Sequence, residues 1–269
     1  MSDFHAILNH IPAALLVIFR VSGLMIYGPV FGSSVVPARI RIFLSFIIGI
    51  AVYPLLASRN LTSVDLKLDL WTLAPMISME LMIGLIIGYL SSLPLLAMQA
   101  GGLIMGQQMG LGFAQLYNPA IDDEADIIGQ LLFFMALAGF LIIGGHEWML
   151  LAVLRSFDHI PLGGFALNLN VLELTNGLLL ASLELALRVA APLLALVFLE
   201  TVAMGFLAKT VPQLNILSLG FPLRILVGIG IVALGLVVIN DVAIDSIAET
   251  FSAISQWLQD AAVTGLPNG

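Results

Sequence analysis

Six ionisable side chains lie inside otherwise apolar segments: Arg20, Glu80, Glu184, Arg188, Glu200 and Arg224. Three acids thus face three bases. An acid in such a setting can relay protons, as in a secondary transporter, or neutralise a buried base. Each unpaired charge at the centre of a bilayer costs at least about 2.5–3.5 kcal/mol on insertion scales. Glu184 and Arg188 stand four residues apart with the acid first, the favourable order on a helix. Neither Glu80 nor Glu200 has a histidine or a second acid one turn away. Pairing inside a bundle or with partner subunits is therefore the favoured reading, and a relay the alternative.

Other strings that suggest chemistry fail on their spacing. His146-Glu147 opens a zincin-like motif, but Leu150 stands where the second histidine ligand is needed. The run Gly205 to Thr210 resembles the end of a phosphate loop, with Ala208 in place of the required glycine. Gly228-Ile229-Gly230 sits deep in an apolar segment rather than between a strand and a helix. Asp122 to Asp126 lacks the spaced ligands and glycine of a calcium loop. No catalytic constellation, cofactor site or metal site is expected.

The elements that hold these charges are membrane-like. The chain has 269 residues, 60% hydrophobic and 10% charged, with mean hydropathy +1.10. Soluble domains carry about 25% charged residues. The absence of cysteine rules out disulfides and thiolate chemistry. A net charge of −8 and scattered bases argue against nucleic acid as a partner. The N-terminus has no positive charge ahead of its apolar run, unlike a secretory signal peptide.

The expected fold class is all-α: a multi-helix membrane-associated bundle of about six long hydrophobic segments or hairpins, plus a C-terminal amphipathic helix. The segments run approximately 13–31, 40–57, 71–108, 127–157, 176–208 and 216–239. Pro94 is a candidate kink in the third. In the tail, 240–260, Val242, Ile244, Ile247, Phe251, Ile254 and Leu258 fall near helical spacing, with acids between them. The third and fifth segments exceed 30 residues, although a bilayer core needs about 20. They either break into hairpins or project beyond the membrane. Arg39, Arg41 and Lys209 on one side balance Arg59, Lys67 and Arg155 on the other, so the positive-inside rule gives no orientation.

Gly102, Gly106 and Gly110 recur every four residues and would give an entering helix a small-residue stripe. Gly112 and Asn118-Pro119 then signal a loop, which carries Leu111, Phe113, Leu116 and Tyr117 and ends in acids. Spacing alone favours an ordinary connection; a movable apolar plug is the alternative.

Four stretches carry a resemblance: Val36 to Arg41, the run from Gly101 to Ala114, Gly144 to Trp148 leading to Ser156-Phe157 and Pro161 to Gly164, and Ala208 to Gly228. In order and spacing they resemble the FliR family, the flagellar type III export-gate proteins related to the virulence SctT proteins. The resemblance implies a non-enzymatic core subunit of the export gate in the flagellar basal body of the bacterial inner membrane. It implies FliP-like and FliQ-like partner subunits, FlhB-like and FlhA-like neighbours, and exported flagellar subunits as transient substrates. Residues 1–175 would be FliP-like and 176–269 FliQ-like. The plug would lie in 110–126, with Met109, Gly110, Leu111, Gly112, Phe113 and Tyr117 as gate residues. Beside this stand two other readings, a proton- or ion-coupled secondary transporter and a structural membrane scaffold.

Overall fold

The computed structural model describes residues 2–33, 36–59, 61, 70–111, 127–164, 169–211 and 216–264. Every regular element among them is an α-helix: α1 Ser2–Tyr27, α2 Ala38–Ser58, α3 Leu70–Gln108, α4 Ile127–Ile142, α5 Gly145–His159, α6 Leu169–Thr210 and α7 Ile216–Thr264. Five of them are long and apolar enough to cross a membrane, and the α4–α5 pair makes up to six. The chain is an all-α membrane protein.

Two features depart from the segment reading. The fourth segment is two helices, bent by 65° at a short break. Gly144 occupies that break with φ +76°, a conformation most side chains resist, and caps the start of α5. The sixth segment and the amphipathic tail are one helix of 49 residues. Nothing in Ile239-Asn240-Asp241 breaks a helix, so only its polarity changes there. Of the two alternatives left open for the long third and fifth segments, hairpins are not formed: α3 is one helix of 39 residues and α6 one of 42. At 1.5 Å per residue each spans about 60 Å, and α3 stays helical through Pro94.

The chain forms two compact units, each drawn from several stretches. The first comprises 1–92, 141–178 and 248–269; the second comprises 93–140 and 179–247. In the first, α1 packs along α2 and touches α5. Its core is built from Leu16, Val17 and Leu24 of α1, Ile83, Ile87 and Leu90 of α3, and Phe157 of α5, all almost fully buried. Gly23 of α1 and Gly84 of α3 meet backbone to backbone. A Cβ on Gly84 would overlap the Arg20 carbonyl oxygen and lie 2.9 Å from Gly23 Cα. Small residues allow this approach, and it places Arg20 and Glu80 at the same level. Trp148 of α5 stacks on Phe251 at 4.0 Å and 7° and so fixes the end of α7 in this unit.

In the second unit, Gly102 of α3 lies against Gly129 of α4. A Cβ there would stand 2.6 Å from Gly129 Cα. Gly101 faces Ala186 of α6. Leu132, Ala136, Phe140, Ala190 and Leu193 are buried around these crossings.

Candidate functional site

The first unit buries a charged cluster. Arg20 and Glu80 are both 0% exposed, and Arg20 Nε donates to Glu80 Oε2. Arg20 Nη1 donates to Ser156 Oγ at 3.0 Å, and Nη2 donates to the Ile160 carbonyl at 3.2 Å. The guanidinium lies 4.0 Å from the centroid of the Phe157 ring, a cation–π arrangement. The other Glu80 oxygen accepts the Gly163 backbone N–H at 2.8 Å. One base and one acid therefore hold α1, α3, the end of α5 and the following loop together. Buried charges are tolerated only when paired and hydrogen-bonded, and both conditions are met here. The oxygens of Glu80 are committed to Arg20 and Gly163, an arrangement that orients a loop rather than passing protons.

The second unit holds the other pairs. Arg224 of α7 donates to Glu200 of α6 through Nε at 3.0 Å and Nη2 at 2.8 Å. Nη2 also reaches Thr201 Oγ1 at 2.9 Å. The side chains are 25% and 11% exposed. A cavity of about 280 Å³ opens beside them, lined by Met204, Gly205 and Phe221 among others. Arg188 and Glu184 pair at 2.8 Å along α6 but are 65% and 69% exposed. An exposed pair of this kind contributes only about 0.3–0.5 kcal/mol in water.

The three acids and three bases singled out in the sequence thus form three ion pairs, one buried, one partly buried and one on the surface. Sequence reasoning missed Ser156, Phe157, Ile160, Gly163 and Thr201 as their partners. Ser156 and Phe157 lie 136 and 137 positions from Arg20, and no local spacing signals such contacts.

The candidate gate residues begin where α3 ends. Met109 is fully buried, and its side chain fills the notch at Gly228 of α7: a Cβ on Gly228 would stand 2.5 Å from Met109 Cγ. Gly110 has φ +83°. Its N–H donates to the Gln107 carbonyl at 3.0 Å, and the Leu111 N–H donates to the Gly106 carbonyl at 3.1 Å. These two bonds form a Schellman ending, which satisfies carbonyls that the helix would otherwise leave open. Leu111 is half-buried. Gly112, Phe113, Tyr117 and the acids from Asp122 to Asp126 lie outside the described residues.

Comparison with known proteins matches residues 11–250 to the family described as bacterial export proteins, family 1. The chain is 31% identical over 217 residues to the flagellar biosynthetic protein FliR of Escherichia coli strain K12, covering 80% of this chain and 81% of that protein. It is 28% identical over 230 residues to FliR of Bacillus subtilis strain 168, covering 83% and 85%. It is also 27% identical over 179 residues to Yop proteins translocation protein T of Yersinia pestis, covering 66% and 67%. A match of this extent, over helices whose charges and glycines are placed as described above, is decisive: the chain belongs to the FliR/SctT family, family 1 of the bacterial export proteins.

Proposed function

We propose that this chain is a non-enzymatic core subunit of the flagellar type III export gate, set in the inner membrane at the basal body. In this reading it forms, with FliP-like and FliQ-like subunits, the channel for unfolded flagellar subunits. FlhB-like and FlhA-like proteins are its neighbours. The observation that carries the reading is the similarity to proteins named FliR along most of the chain. The similarity to a translocation protein supports the wider assignment to a type III export apparatus.

The apolar surface gives physical support. Only 28% of the apolar window of α6 and 11% of that of α7 are buried within the chain. Phe198, Phe206, Leu226 and Leu234 are largely exposed. Such surfaces require lipid or partner helices. Residues 1–175 are taken as the FliP-like part and 176–269 as the FliQ-like part. The loop from Gly110 to Asp126 is taken as the plug, seated at its start by Met109 and carrying Leu111, Gly112, Phe113 and Tyr117. Glycines ease its conformational change, and deformable apolar side chains seal against ions.

Purification with native partners and intact-complex mass spectrometry tests the assembly; a stable monomer free of partners would refute it. Conductance across reconstituted complexes tests the plug. Leu111→Gly with Phe113→Gly should raise ion leakage while the complex still assembles. Leakage equal to wild type would reduce the loop to a connector. The transporter reading is tested by Glu80→Gln and Glu200→Gln made singly. A relay would stop with either change, whereas export should follow assembly alone.

A further inference from the structure

In the first unit, α5 and the last turns of α7 enclose a crevice of about 70 Å³ that the export reading leaves without a role. Arg155 and His159 stand one turn apart on α5, and Ser255 and Gln259 stand one turn apart on α7; all four line it. None of the four has a hydrogen-bond or ion-pair partner among the described residues. The nearby Asp158 is already engaged by Arg59 at 3.5 Å.

Every one of these side chains can donate. The arginine presents a planar fork, the histidine a ring N–H, the serine its hydroxyl and the glutamine its amide. A tetrahedral oxyanion offers several acceptors at once, and the arginine fork matches phosphate geometry. The rest of the wall is apolar. Trp148 stands at one end, held flat on Phe251. Leu151 is 48% exposed at the rim. Tryptophan favours the boundary between an apolar and a wet region. Converging donors beside an outward apolar face suit a ligand with an anionic head and hydrocarbon tails.

We propose that this crevice binds the phosphate group of an anionic phospholipid, with Arg155 as its principal ligand and His159, Ser255 and Gln259 completing the cage. The exposed Leu151 meets the acyl chains.

The test uses the purified complex, stripped of endogenous lipid and titrated with phosphatidylglycerol, with phosphatidylcholine or with inorganic phosphate. Bound lipid is counted by native mass spectrometry, and thermal shift is followed in parallel. Wild type should retain phosphatidylglycerol about tenfold more tightly than Arg155→Gln does, the size expected on losing charge-assisted hydrogen bonds. Arg155 is exposed, so the variant should fold. Ser255→Ala, a small change on the facing helix, should also weaken retention. A thermal shift produced by inorganic phosphate alone, and lost in Arg155→Gln, would keep the phosphate site but make its source soluble. Equal phosphatidylglycerol retention in wild type and Arg155→Gln, with no phosphate effect, would overturn the proposal. So would loss of a partner subunit rather than of lipid, since a partner carboxylate would then be the occupant.

Discussion

Removing the carboxylate of Glu80 while leaving Arg20 in place is the most severe single electrostatic change among the described ion pairs. Both side chains are fully buried, and Glu80 also accepts the Gly163 amide. Glu80→Ala leaves the guanidinium with only Ser156 and the Ile160 carbonyl as hydrogen-bond partners and orphans the loop N–H. Breaking a buried pair from one side costs about 3–5 kcal/mol, and the orphaned amide adds about 1–3 kcal/mol. The folded-to-unfolded ratio should fall by at least about a hundredfold, at 1.4 kcal/mol per factor of ten. The decisive companion is the double change Arg20→Met with Glu80→Met. It removes the lone charge and fills the space, and replacements of this kind are often neutral or stabilising. Its remaining deficits are the Gly163 amide and the Ile160 carbonyl, which loses the Arg20 donor. Thermal unfolding of the detergent-solubilised complex, with folded yield as a second readout, should rank the double variant clearly above either single one. If the double variant loses as much as the two single changes added together, the pair is not coupled and the reasoning fails.

Two further changes probe close helix contacts. Gly84→Val drives a branched side chain into the Arg20 carbonyl and the Gly23 backbone, so folded yield should collapse, read by size-exclusion chromatography. Gly228→Val takes the space that Met109 fills; overpacking of this kind costs about 1–3 kcal/mol. On the gate reading it should raise conductance without loss of assembly, and unchanged conductance would separate Met109 from the seal.

The sequence made the pairing of these charges legible through their cost and left the identity of most partners hidden. Glu184 and Arg188 could be matched because they are one turn apart, and they are the pair most open to solvent. Arg20 and Glu80 are separated by 60 positions, and their meeting depends on the Gly23–Gly84 crossing, a tertiary event. The same division applies to the elements. Long apolar runs give helices directly, so α3 and α6 were readable. The boundary placed at residue 239 followed a change of polarity that the backbone ignores, because helix continuity depends on φ, ψ and hydrogen bonds. The bend before α5 rests on one left-handed residue, Gly144; the Gly144-Gly145 pair is a turn signal that the reading of a single long fourth segment passed over.

The glycines inside the helices separate what the chain does for itself from what it leaves to others. Glycine in a helix interior costs about 0.5–1 kcal/mol relative to alanine. At Gly84 and Gly102 that cost is offset within the chain, since any Cβ would collide with a neighbouring backbone. At Gly177, Gly205 and Gly230 a Cβ would meet nothing within 4 Å, so no contact within the chain offsets it. A closely packed partner helix would supply that compensation, as small residues do between helices in membranes. The subunit reading therefore predicts opposite signs in two assays. Alanine at Gly205 or Gly230 should stabilise the isolated chain by about 0.5–1 kcal/mol, and it should weaken recovery of the assembled complex. Alanine variants that stabilise the chain and leave assembly untouched would show that these helix faces meet only lipid.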